Sequence, residues 1–157
     1  MRTIIGAWVL ASAAAVPAAA AMDNSVLTPI HAFIDGFNKG DTTSAFGAYA
    51  PGDVAIIDEF APHHWNGPKA PQTWAADYSK NAAATGVTDG AVKYGAPTRR
   101  EVAGTRAYVI VPTLYTWKEH GKPMAEEGQM TFALTGKAMA WKIAAWTWSG
   151  VTPHPAK

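Results

Sequence analysis

From Arg106 to Ser149 the chain reads as three long strands joined by two tight turns, and this stretch limits the fold more than any other. Arg106 to Lys118, Ala125 to Thr135 and Met139 to Ser149 are rich in β-branched and aromatic residues. Glu119-His120-Gly121-Lys122 and Gly136-Lys137 separate them as turns. Strands joined by such short turns pair antiparallel. Period-two alternation puts Tyr115 with Trp117 on one face, and Trp146 with Trp148 on one face. Val92 to Thr98 adds a strand ahead of them.

The N-terminal half has a different period. Val26, Ile30, Phe33, Ile34 and Phe37 fall on one face of an α-helix, with Thr28 as N-cap and Pro29 in the first turn. Gly40 stops this helix in the left-handed conformation, and Asp41 caps a short second helix, Thr42 to Tyr49. Pro51-Gly52 breaks that helix, and Asp53 to Phe60 reads as a strand with Asp58 near its end. Ala61 to Gly67 is expected to be a loop carrying His63, His64 and Trp65. Pro68 to Ala84 has helical spacing at Trp74, Tyr78 and Ala82. The fold class is therefore α+β: helices packed on one face of a curved antiparallel sheet, forming a cone whose open end is a place for a pocket.

At 157 residues and 48% hydrophobic content the chain is expected to form one domain with a real core. Residues 1–21 read as a signal peptide, with Arg2 ahead of an uncharged run from Ile4 to Val16 and small residues at Ala19-Ala20-Ala21. That predicts export to the periplasm or medium and no membrane span after leader cleavage. Residues 22–150 are the domain, and 151–157 a flexible tail. A net charge of +1, with basic residues clustered only at Arg99-Arg100, gives no surface for nucleic acid. The absence of cysteine excludes disulfides and thiolate chemistry. No metal-binding His pattern, phosphate loop, nucleophile elbow or dinucleotide fingerprint occurs, so no metal and no cofactor is expected.

Several segments together resemble the NTF2-like superfamily, in particular its SnoaL-like and ketosteroid-isomerase-like members. They are Phe37-Asn38-Lys39-Gly40-Asp41, Tyr49-Ala50-Pro51-Gly52-Asp53-Val54, Asn66-Gly67, Gly128 to Leu134, Trp141-Lys142-Ile143 and Trp146 to Ser149. The resemblance spans about residues 24 to 150 and implies the NTF2-like (cystatin-like) cone. It does not imply one activity, because this fold hosts isomerases, dehydratases, hydrolases, binding domains and assembly modules. It places Asp58 where ketosteroid isomerases hold a carboxylate base. The tyrosine those enzymes use as an oxyanion donor corresponds to Phe33, which cannot donate. Their late-strand aspartate falls around Met130 to Ala133, where Thr131 is the one polar residue.

The candidate catalytic residues are thus Asp58, helped by His63 or His64. Ligand contacts are expected from Phe33, Phe37, Trp65, Tyr78, Tyr115, Trp117, Thr131 and Trp146. Glu126-Glu127 is expected to be a solvated strand end rather than a second acid at the cavity mouth. Two functions stay open: a pocket for a small apolar or aromatic molecule with cofactor-free acid/base chemistry, or a non-catalytic binding or assembly module whose cone is filled by its own side chains. Lipid or peptide capture in a long groove is a third. The aromatic late strands also suggest a homodimer through the sheet.

Overall fold

The computed structural model describes residues 25–137 and 140–157. The signal-peptide expectation and the Met139 start of the last long strand lie outside them. Helix α1 runs Leu27–Lys39 and begins one residue before the Thr28 cap expected from sequence, with Val26 as an N-cap that has no side-chain bond. Its apolar face is as the periodicity requires: Ile30, Phe33 and Ile34 are buried. Gly40 ends it at φ 66°. Asp41 then caps α2 (Thr42–Gly47) by accepting the Ser44 N–H at 3.1 Å.

The strand after α2 is shorter than expected, β1 at Val54–Ile57, and the His-Trp segment is not loop but β2 at His64–Gly67. Helix α3 spans Ala70–Thr85. Five more strands follow: β3 (Val87–Tyr94), β4 (Arg99–Ala103), β5 (Arg106–Glu119), β6 (Lys122–Thr135) and β7 (Lys142–Gly150). Instead of fraying, the C-terminal tail contributes β8 (His154–Pro155), which pairs with Met124 and Ala125 of β6. His154 also meets Glu127 at 2.8 Å, an exposed pair that adds little energy but fits that register.

The strands form one sheet in the order β2-β1-β7-β6-β5-β3. The expected antiparallel sheet is in fact mixed, because β1 lies parallel to β7. A turn cannot make that pairing; the intervening helix and strands can. β3 and β4 share the outer edge of β5, pairing with Thr113–Glu119 and Arg106–Ile110 respectively. Register shifts at Thr88/Ala91 and at Ala133/Leu134 bend the sheet around the helices.

Helix α1 crosses the concave face. Its Ile30, Phe33 and Ile34 join Val109, Val111, Phe132 and Ile143 of the long strands in one core cluster. Each such side chain, fully buried, contributes about 1.5–3 kcal/mol. The end of α1 is tied to the sheet edge by Asn38, whose amide donates to Val92 O and accepts from Val92 N, both at 2.8 Å. These contacts hold α1 against the sheet, and a hollow is left between α1, α3, the β1 end and the long strands.

Candidate functional site

This hollow is a cavity of about 220 Å³. At roughly 30 Å³ per water in the liquid, this is space for a molecule of one or two rings. A cone filled by its own side chains would have left no such space. Phe33, Phe37, Tyr78, Tyr115, Trp117 and Trp146 all line it.

Asp58 reaches this cavity from the residue just past β1. Its backbone is fixed by a closed loop: Asp58 N–H donates to His63 O at 3.1 Å, and His63 N–H to Phe60 O at 2.9 Å. Both carboxylate oxygens are satisfied. Trp74 Nε1–H donates to Oδ2 at 2.8 Å, and the Glu59 N–H to Oδ1 at 2.8 Å. Burial pushes this carboxyl above its usual range, while the indole and the amide pull it back. The result is a carboxyl held as an acceptor, in a mostly apolar hollow.

Sequence reasoning missed the acids beside it. Glu126 is not a solvated strand end; it is 1% exposed and lines the cavity. Its Oε1 accepts from Trp148 Nε1 at 3.3 Å, and the Glu59 carboxyl hydrogen-bonds to the same side chain. The space for this carboxyl comes from Gly150, where a Cβ would fall on Glu126 Oε1. The parity of β6 could have revealed it, since Glu126 shares the inner face with the buried Met130, Phe132 and Leu134. Glu59 faces the same hollow. Partial burial first, then the hydrogen bond to the Glu126 carboxyl and its charge, push its pKa up to about 8. Nothing in the sequence around Glu59 signals this.

A pair of phenols supplies the donors that Phe33 and the Met130 region lack. The Tyr78 and Tyr115 hydroxyls lie 2.7 Å apart, and burial raises both above the ordinary tyrosine range. One donates to the other, so a single O–H remains for a ligand. Both hydroxyls rest on Gly90 at the β3 irregularity, where a Cβ would come within 2.5 and 2.7 Å of them. Trp146 faces the hollow but spends its N–H on the Tyr49 hydroxyl at 2.8 Å.

Four expected residues stand elsewhere. His63 and His64 are exposed and do not line the cavity; the His63 ring meets the Asp58 carbonyl oxygen, at 3.3 Å, not its carboxylate. Trp65 is buried behind the site against Phe60, with its N–H on Asp77 at 3.0 Å. Thr131 points to the other face of β6, because it is out of phase with Met130 and Phe132. The tryptophans of β5 and β7 all turn inward, so they do not form the outer aromatic face on which the expected dimer rested.

The architecture matches solved structures across most of the chain. A hexachlorocyclohexane dehydrochlorinase LinA-type3 from Novosphingobium barchaimii LL02 aligns with a TM-score of 0.71 at 14% identity, covering 88% of this chain and 92% of that one. An NTF2-like superfamily protein from Salmonella enterica serovar Typhimurium aligns at 0.68 and 16% identity, covering 88% and 94%. The chain has the NTF2-like fold. A third NTF2-like relative in shape is a putative scytalone dehydratase from Novosphingobium aromaticivorans, at 0.69 and 8% identity, covering 89% and 91%. No protein-family model and no curated protein matches the sequence. At these identities the likeness concerns the NTF2-like cone and not the side chains within it. Among the described residues no helix is long and apolar enough to cross a membrane, and no cluster of His, Asp or Glu has the arrangement of a metal site.

Proposed function

We propose that this NTF2-like domain binds a small, largely apolar molecule of one or two rings and moves a proton on it without a cofactor. The observation that carries the reading is the pairing of opposite roles on one cavity wall. Asp58, with both oxygens accepting hydrogen bonds, is set up as a base. Glu59, next in the chain, holds a proton to about pH 8 and serves as the acid. In such a step an Asp58 oxygen takes a proton from a carbon next to a carbonyl. The electron pair moves onto the carbonyl oxygen, which receives a hydrogen bond from the Glu59 carboxyl or the Tyr78–Tyr115 pair. The histidines have no part in this scheme. Neighbours in shape named dehydrochlorinase and dehydratase fit it, since eliminations also begin with loss of a proton. The leader-like N-terminus supports export of the domain.

The test is proton–deuterium exchange at the α-carbons of 2-tetralone in D2O, followed by NMR. The protein should accelerate exchange over buffer, and Asp58→Asn should remove about 100-fold or more of that acceleration. Asn still accepts one of the two hydrogen bonds, and the buried charge it removes was itself unfavourable, so its melting temperature should stay within a few degrees. Equal exchange by the folded Asp58→Asn protein would refute the assignment.

A further inference from the structure

Trp65 and Trp74 each give an indole N–H to an aspartate, and the two bonds differ in kind. Trp65 donates at 3.0 Å to Asp77, a partly exposed carboxylate that also meets Lys80. Trp74 donates at 2.8 Å to Asp58 Oδ2, inside the hollow. A buried indole needs an acceptor, and a backbone carbonyl would serve without taking a charge out of water. Here the acceptor is a carboxylate that no lysine or arginine of the cavity wall offsets.

The Trp74 ring has little freedom. It is 6% exposed and wedged among Phe33, Phe37, Tyr78 and Trp146, at centroid distances between 5.2 and 6.0 Å. Its N–H is therefore aimed in one direction. The Glu59 N–H holds the other oxygen of Asp58. With one donor on each oxygen, from two different parts of the fold, the carboxylate plane cannot turn, while each oxygen keeps a lone pair for a proton. Tyr78 lies one turn further along α3, on the same face, with its hydroxyl on Tyr115. One helix thus carries the clamp on the base and half of the phenol pair.

We infer that Trp74 is a positioning residue for the proton transfer, acting through Asp58 by fixing the orientation of its carboxylate from α3. The inference rests on the reading above, which makes Asp58 the base. An N–H donor favours the charged carboxylate, so its removal raises the Asp58 midpoint. The other titratable groups facing Asp58 are Glu59 beside it, Glu126 on β6, Tyr49 ahead of β1, Tyr78 on α3, Tyr115 on β5 and the exposed His63 ring. Replacing Trp74 removes none of them.

Trp74→Phe keeps a ring and deletes the donor. In this variant the acid limb of the pH profile for 2-tetralone exchange should move up by about one pH unit, and the plateau rate should fall about tenfold. Lost packing alone would slow exchange without moving the limb. A second measurement needs no change at Trp74. In the ¹⁵N-labelled wild-type protein one indole N–H signal should follow the Asp58 titration, and it should lose that response in Asp58→Asn. Exchange by Trp74→Phe with an unmoved profile, or no indole signal that follows Asp58, overturns the role of Trp74 and leaves the proposed function standing. If the wild-type protein does not exchange 2-tetralone at all, the proposed function falls and this inference falls with it.

Discussion

Gly150 is the residue whose replacement tests the geometry of the site most sharply. It sits at the end of β7, opposite Gly128 of β6, and its missing side chain is the space the Glu126 carboxyl occupies. An alanine Cβ there would overlap Glu126 Oε1 and lie 2.6 Å from its Cδ and 2.7 Å from Trp148 Nε1. The backbone at Gly150 has no positive φ, so the conflict is one of space alone. Glu126 is 1% exposed and lines the cavity. Gly150→Ala should therefore push the carboxylate into the hollow and break the Trp148 bond. Losing a hydrogen bond to an acid costs ~1.5–3 kcal/mol, and overpacking of this kind ~1–3 kcal/mol. These overlap, because the same movement relieves one and causes the other, so the expected cost is about 2 kcal/mol. For a domain of this size that is a fall of roughly 4–8 °C in melting temperature. Differential scanning calorimetry reads the fall. A Gly150→Ala protein with unchanged melting temperature would refute the placement of Glu126.

The raised carboxyls predict how stability follows pH. Glu59 and Asp58 bind protons more tightly folded than unfolded, so deprotonation favours unfolding. Stability should be full below the ordinary carboxylate range and fall as pH rises toward about 8; in Glu59→Gln most of that slope should be gone, and a parallel slope in the variant would count against the site. His154, also raised, adds a smaller fall in the same direction that Glu59→Gln leaves in place. In a separate test, Gly90→Ala should force the Tyr78 and Tyr115 hydroxyls apart, at a cost of ~1–3 kcal/mol, and slow 2-tetralone exchange; full activity would exclude the phenol pair from the chemistry.

Much of the fold is legible because it rests on local rules. The apolar stripe of α1, the Gly40 stop, the Asp41 cap and the alternation along β5 and β6 each follow from neighbouring residues. β2 and β4 escape the same rules because they are four and five residues long and carry His-Trp-Asn-Gly and Arg-Arg-Glu in place of an apolar run. The parallel β1–β7 pairing is invisible locally, since its partners are some ninety residues apart. For the site, Asp58 can be placed by the strand end that carries it. Glu126 was readable from its phase in β6, but as one of two adjacent glutamates it looks like a surface pair. The orientation of Glu59 depends on the Asp58–His63 loop closure, and the donation by Trp74 on the docking of α3, neither of which any sequence pattern encodes. The inward turn of Trp146 and Trp148 depends on the extra residue at Ala144, which shifts the phase of β7 after Ile143.

The protonation state of the cavity acids is what the whole account turns on, and carboxyl-¹³C NMR of the glutamate-labelled protein reads it directly. One glutamate carboxyl should titrate with a midpoint near 8, and its signal should be missing from the Glu59→Gln variant. If every glutamate in the folded protein titrates in the ordinary range near 4.5, there is no acid beside the base, and the proposed chemistry does not belong to this cavity.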